Sequence, residues 1–323
     1  MSTDVSSQIA DYYAQHQTAV RDLHRSFRKT ITERLIGSGC SPSDIEVGVS
    51  LSGYDTDVFI PSAKIAIDIT DEWEVCTAFN NADRYAMRNK MRTLTDSGLS
   101  VLNVFRSEWN TRRDQVMNMI ASKCAPAKFR IPGRKAKFVI ITPETAETFI
   151  EAHHIQPLGM RQTYNYGLLH GDDLVAVMTF YTYTFSKITD ISLTRFCCME
   201  DTQIMGGADK LMQNAIRVNG WDSMISWSDN RWSVGNLYSR LGYKEQAEDS
   251  PARFFINTEG EIVQNMAATH RNDVVSRPKG QTTAERMQDL GYVSYYDAGK
   301  RVWLWKSPNY KEYQQDELSA FMG

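Results

Sequence analysis

Two groups of residues in this chain have the types and spacing to do chemistry. In the first, Gln203-x-x-Gly206-Gly207-Ala208 precedes a helix-length segment. Small residues there let backbone N–H groups converge at a helix N-terminus, a ready site for phosphate. A strand-like run over 223–228 follows, then Asp229, Asn236, Tyr238 and Gly242-Tyr243. Tyr238 falls near the start of a later helix, where its hydroxyl is placed to face the same cleft. The second group is acidic. Asp55-x-Asp57 stands just before Val58-Phe59-Ile60-Pro61, and Asp68 lies on the next strand-like run. Two antiparallel strands joined by a short turn bring such carboxylates to one face. Paired carboxylates with water suit Mg²⁺, which prefers oxygen ligands in octahedral geometry. Asp57 and Asp68 are the expected ligands, and such an ion would polarise a phosphodiester and activate a water. Lys90, on the following helix, is placed to orient that water or to stabilise developing charge. The plainer alternative makes Asp55, Asp57 and Asp68 solvated turn and edge residues.

The elements that must position these residues read as α/β throughout. At 323 residues the chain is long for one core and implies two domains. Residues 4–36 have helical apolar spacing, ended by Gly37-Ser38-Gly39. Strands are expected at 45–51, 57–60, 65–69 and 99–105, with helices over 81–97 and 110–122. That order predicts an α/β sandwich over residues 1–122. Residues 123–136 read as a basic linker containing Pro126 and Pro132-Gly133. A second α/β unit is expected over 137–260, and 261–323 as a polar tail with a short helix and a hairpin near 292–305.

Hydrophobic residues at 42% and charged residues at 23% are ordinary for a soluble protein. No apolar run is long enough to span a membrane, and the first residues lack a signal-peptide pattern. The five cysteines are odd in number and form no C-x-x-C pair, so a reducing cytoplasm is expected, with neither a disulfide framework nor a zinc cluster. The net charge of −3 does not advertise nucleic acid, and its distribution says more. Lys123, Lys128, Arg130, Arg134, Lys135 and Lys137 occur between Ala121 and Thr142 with no acid among them. This stripe either tracks a DNA backbone or keeps a linker solvated.

The stretch Ile60-Pro61-Ser62-Ala63-Lys64-Ile65-Ala66-Ile67-Asp68, with Asp55, Asp57, Trp73, Lys90 and Gly98-Leu99 through Glu108-Trp109, resembles the PD-(D/E)xK nuclease superfamily. It is most similar to the very-short-patch-repair-like branch that includes phage homing endonucleases. The resemblance covers about residues 45–120 and implies a restriction-endonuclease-like sandwich with a Mg²⁺ site. Two positions depart from that pattern: Thr70 stands where a Lys is expected, and Glu74 follows Trp73 where a His is expected.

The Gln203–Ala208 turn and the Asn236–Tyr243 block resemble the GNAT acyltransferase fold, which implies a mixed sheet with helices on both faces and acyl-CoA as donor. Residues 137–305, through His154-Ile155-Gln156-x-x-Gly159, Leu193-Thr194-Arg195 and Tyr296-Asp297-x-Gly299, are also similar to a C-terminal part of phage homing-endonuclease-like proteins. The same region is similar to the Mom family of phage DNA modifiers. That resemblance places function on Asp229 and Tyr238, spaced one residue closer than in that family. Tyr238 is then a general acid, Asp229 orients or deprotonates an exocyclic amine, and His153 or His154 is a base. Trp227, Trp232 and Tyr164 are candidates to stack on an extruded base, with a place in the core as the alternative for Trp227.

The expected function is a metal-dependent homing-type DNA endonuclease with a GNAT-like domain, acting in a bacterial cytoplasm if phage-encoded. The alternatives are a Mom-like base-modifying acyltransferase with a degenerate nuclease-like DNA-recognition domain, and a non-catalytic DNA-binding or host-interacting protein.

Overall fold

Helix α1 (Val5–Gly37) forms because Val20, Phe27, Ile31 and Leu35 recur at steps of seven, four and four residues, on one helical face, and are all buried. It ends where Gly39 takes a left-handed φ of 100°. The structure, a computed structural model, describes residues 5–76, 83–158, 162–185 and 188–308. Residues 4, 81 and 82 of the expected helices, the motif residue Gly159 and residues 309–323 of the expected tail lie outside the described residues.

After α1 come β1 (Glu46–Leu51), β2 (Tyr54–Ile60) and β3 (Ile65–Thr70), joined antiparallel, with Val58 opposite Ile67. Helix α2 (Ala86–Asp96) crosses over to β4 (Ser100–Phe105), which pairs parallel with β3. The sheet order is therefore β1-β2-β3-β4. Helices α3 (Arg106–Thr111) and α4 (Arg113–Cys124) follow.

Next come β5 (Phe129–Pro132), β6 (Lys137–Ile140), α5 (Pro143–His153), β7 (Tyr164–His170), β8 (Asp173–Phe185) and β9 (Ile188–Cys198). They lead to β10 (Thr202–Met205), α6 (Gly207–Asn219), β11 (Ser223–Asp229), α7 (Asn236–Arg240) and β12 (Lys244–Glu248). The chain continues through β13 (Arg253–Ile256), β14 (Ile262–Gln264), α8 (Asn265–Thr269), α9 (Asn272–Val275) and α10 (Thr283–Asp289). It closes with β15 (Val293–Tyr296) and β16 (Lys300–Lys306).

These elements sort into two units, each discontinuous in sequence. The first comprises Met1–Lys128, Ser228–Gly235 and Glu248–Arg301, and the second Phe129–Trp227, Asn236–Ala247 and Val302–Gly323. In the first unit the core joins Trp73, Met91, Leu94 and Phe105 to Ile256, Val293 and Tyr295, and a second sheet runs β14-β13-β15. In the second, a seven-stranded sheet runs β12-β16-β11-β9-β8-β7-β6 over a core that includes Leu168, Phe180, Leu211 and Trp303.

Three boundaries differ from the sequence reading. Residues 129–135 are not a linker: β5 pairs parallel with β10, and Ile131, Gly133 and Ala136 are buried. The stretch after 260 is not a polar tail, because β14, β15 and the helices between them build the first unit's core. No hairpin forms near 292–305 either. Strand β15 pairs with β13, whereas β16 inserts between β12 and β11. Buried Tyr295 belongs to one core and buried Trp303 and Trp305 to the other, which sends the two strands to different sheets.

Candidate functional site

In the first unit, α1, β2, β3 and α2 surround a cleft of about 1060 Å³. The expected acidic group converges beneath it. Asp57 and Asp68 face each other across β2 and β3, and the Asp57 N–H donates to Asp68 Oδ1 at 2.9 Å. They are not surface groups: Asp57 is 3% exposed and Asp68 2%. Asp55 stays exposed at the rim, and only its backbone carbonyl takes part, accepting from Lys90 Nζ at 3.1 Å.

The carboxylates are held by the protein's own cations. His24 Nδ1 lies 2.9 Å from both Asp57 oxygens, Arg28 Nε donates to Oδ1 at 2.7 Å, and the Ile69 N–H donates to Oδ2 at 3.0 Å. Lys90 Nζ lies 3.0 Å from Asp68 Oδ2. Burial works against the Asp57 charge, yet the His24 hydrogen bond and charge, with Ile69 and Arg28, hold its carboxyl below the usual carboxylate range. Burial dominates at Asp68 and pushes it up, with the Lys90 charge opposing.

The sequence reading missed His24. The pattern expected a histidine after Trp73. Glu74 stands there, and the imidazole arrives from α1 instead, with His24 Nε2 3.3 Å from Glu74 Oε2. Burial disfavours the imidazolium, but hydrogen bonds to Asp57 and Glu74 and their charges raise His24 to about 10. The available signal was the cationic face of α1, where Arg21, His24, Arg25, Arg28 and Lys29 recur at helical spacing.

This donor set does not fit Mg²⁺. Every Asp57 and Asp68 oxygen already receives a cation or an N–H, and three cationic side chains point where a divalent ion would have to sit. Among the described residues, no group of three or more His, Cys, Asp or Glu side chains is arranged to hold a metal.

Asp229 belongs to the first unit and is not available to a substrate amine. It is paired with the buried Arg231 at 2.9 Å, and Arg231 also makes a two-pronged bond to Glu108, both at 2.9 Å. The ring of Phe105 lies 4.4 Å below the guanidinium. Trp232 is buried in the same unit.

The second unit holds the glycine turn. Strand β9 leads through β10 to Gly206, whose φ of 72° is left-handed, and α6 begins at Gly207. The first intrahelical bond runs from the Lys210 N–H to Gly206 O at 3.0 Å, so the earlier N–H groups have no acceptor within the helix. A Cβ on Gly207 would lie 2.8 Å from Ile204 Cβ, so the turn packs too closely for any side chain there. Lys210 Nζ bonds the carbonyls of Gly133 and Ala136 at 3.1 and 2.6 Å, clamping the segment after β5 to the helix start. Gln203 is exposed on β10.

Strands β9 and β11 are parallel with α6 as their crossover. Beyond them the order runs to β8 on one side and to β16 on the other. The crevice outside the carboxyl ends of such a pair is the ligand position in open α/β sheets. Among the described residues the two strands are in register at Ser192 with Ile225 and at Leu193 with Ser226, and no later pair continues the ladder. Side chains take over: Ser226 Oγ donates to Leu193 O at 2.7 Å, and the Tyr238 hydroxyl donates to Trp227 O at 3.1 Å. The two hydroxyl oxygens are 3.0 Å apart. Burial raises the Tyr238 phenol, so it carries its proton at neutral pH.

The remaining expected residues lie elsewhere in this unit. His154 caps α5 and bonds the backbone of Gln156, while burial lowers His153, whose ring packs on Phe149. Tyr164 packs edge-on against Trp221, both partly buried against the core. Arg195 donates to the carbonyls of Pro157 and Thr194. Arg130, Arg134, Lys135 and Lys137 are exposed along β5 and the start of β6, and Lys128 is exposed in the first unit.

No protein-family model matches the chain, and no curated protein matches it in sequence. Solved structures do resemble part of it. A Bacillus subtilis acetyltransferase in complex with CoA shares 12% identity at a TM-score of 0.30, covering 53% of this chain and 99% of that one. A putative acetyltransferase from Salmonella typhimurium with acetyl-CoA shares 9% at 0.34, covering 55% and 97%. A GNAT family acetyltransferase from Elizabethkingia anophelis with acetyl-CoA shares 9% at 0.30, covering 53% and 98%.

Proposed function

We propose that the second unit is an acyltransferase that takes an acyl group from acyl-CoA and passes it to an amine, with an exocyclic amine of DNA as the acceptor class. The observation that carries this reading is the sheet's switch point: parallel β9 and β11 part after Leu193 and Ser226, and the same crossover begins at the open N-terminus of α6. Gly206, Gly207 and Ala208 would hold the donor's phosphates on backbone N–H groups. Bound acyl-CoA supplies an activated thioester. Tyr238 would give its proton at the sheet opening to the departing CoA thiolate and regain one from the nitrogen of the newly acylated amine, and Ser226 fixes the phenol's position. The exposed cations Arg130, Arg134, Lys135 and Lys137 support a phosphate-bearing acceptor.

The metal-dependent endonuclease reading has less support. Asp57, Asp68 and Lys90 do assemble, but around internal cations, and no step is derived through Mg²⁺.

Calorimetric titration of the full chain with acetyl-CoA tests the donor site. Binding is expected, and Gly206→Val should remove it, since the left-handed backbone at Gly206 costs an L-residue roughly 1–2 kcal/mol and would distort the turn. Nucleoside mass analysis of DNA incubated with acetyl-CoA tests the acceptor. Tyr238→Phe should slow transfer about 100-fold or more while leaving donor binding intact. No binding at millimolar acetyl-CoA or CoA would remove the acyltransferase reading.

A further inference from the structure

Two thiols of the first unit meet where α1 and α4 end. Gly39 turns the chain back after α1, and the Cys40 N–H bonds Leu35 O at 3.0 Å, which folds Cys40 against the helix end. Cys124 is the last residue of α4. The Cys40 thiol donates to the Cys124 carbonyl at 3.4 Å, although the two residues are 84 positions apart. A carbonyl oxygen stands about 2.4 Å from its own Cα, so Cys40 Sγ lies within about 5.8 Å of Cys124 Cα. Rotation of the two side chains, with a slight shift at the chain ends, would bring the sulfurs to bonding distance. Both thiols are free and half-buried. Earlier on each segment, Arg34 Nη2 donates to Asn118 Oδ1 at 2.9 Å, so α1 and α4 are already joined beside the pair.

We infer that Cys40 and Cys124 are a redox pair, closing to an intramolecular disulfide that ties α1 to α4 when a small disulfide of the oxidised-glutathione class accumulates. Cys40, on the turn, reacts first: its thiolate attacks one sulfur of the small disulfide and expels one glutathione thiolate. The Cys124 thiolate then attacks the Cys40 sulfur of the mixed disulfide and expels the second. The two protons released by the protein thiols are taken up by the two departing thiolates. Two protein thiols are thus oxidised, and one small disulfide is reduced to two thiols. The closed ring contains β1 to β4 with α2 and α3. Such a ring restricts the unfolded chain and stabilises the unit. It also fixes the end of the helix that delivers His24 and Arg28 to Asp57. Burial, with Cys40 adding and Lys123 opposing, pushes the Cys124 thiol up to about 12, and burial with Asp44 raises Cys40. Thiolate is therefore scarce at neutral pH, and closure is slow there.

The test is peptide mass mapping of the full chain after incubation in glutathione buffers of rising oxidised fraction, with free thiols alkylated in denaturant before digestion. A peptide pair joining Cys40 to Cys124 is expected, while the buried Cys76 and Cys197 should be recovered alkylated. The rate of closure should rise about tenfold from pH 7 to pH 8, because both thiols are held above that range. Cys124→Ser should leave Cys40 carrying one glutathione and no linked pair. The oxidised wild type should melt above the reduced form, and either Cys40→Ser or Cys124→Ser should abolish that difference. Absence of the Cys40–Cys124 pair in fully oxidised glutathione, linkage only between separate chains, or equal melting of the oxidised and reduced wild type would each overturn the inference.

Discussion

At the scale of single residues, this protein relies on buried charges that are matched internally. His24 is the clearest case, standing between Asp57 and Glu74 with its ionisation raised from 6.5 to about 10. A group raised on folding contributes stability that is full below its unfolded value and is lost as pH rises through its folded value. The melting temperature of the wild type should therefore fall progressively between pH 6.5 and about 10, and His24→Gln should flatten that limb. At neutral pH the same substitution should cost about 1.5–3 kcal/mol, the range for hydrogen bonds to charged groups, measured by urea denaturation. Arg231 carries more, because it is buried and bonds two carboxylates at once. Arg231→Met leaves Glu108 and Asp229 uncompensated and should destabilise the first unit by about 3–5 kcal/mol.

At the scale of elements, the turn from β10 into α6 is specified by two glycines with different duties. Gly206 provides a left-handed backbone, whereas Gly207 provides room, since its missing Cβ would fall 2.8 Å from Ile204. Gly207→Ala should thus cost about 1–3 kcal/mol through overpacking and tilt the helix start. Acetyl-CoA affinity, read by calorimetry, should fall with it even where the variant stays folded. The parting of β9 and β11 is also an element-scale device. Ser226 and Tyr238 satisfy carbonyls that a continued ladder would have used. Leu193 O and Trp227 O therefore have partners although the strands have separated.

At the scale of the whole molecule, the chain returns to its first unit after completing most of the second. Residues 248–301 contribute Ile256, Val293, Tyr295 and Ala298 to the core around Trp73 and Phe105. A fragment of residues 1–128 lacks those side chains and leaves that apolar face open to water. It should show no cooperative melting by circular dichroism, whereas the full chain should. A sharp transition from the fragment would show that β13 to β15 are dispensable to that core. Among the described residues no helix is long and apolar enough to cross a membrane.

The sequence by itself determined what depends on near neighbours. Helical spacing marked α1, alternation and a short turn marked β2 and β3, and the Gly206-Gly207 pair marked the start of α6, because each is encoded within a few residues. The meeting of Asp57, Asp68 and Lys90 was legible for the same reason, the first two lying on adjoining strands and the third on the next helix. What those carboxylates meet was not legible. His24 lies 33 positions from Asp57 and Arg231 lies 123 from Glu108, and pairings at that separation leave no periodic mark on the chain. Only the tertiary structure decided that the acids meet His24, Arg28 and Lys90. It also separated Asp229 from Tyr238 into different units and sent β15 and β16 to different sheets. The physical reason is common to all three: periodicity says which face of an element is apolar, but not which distant element will cover it.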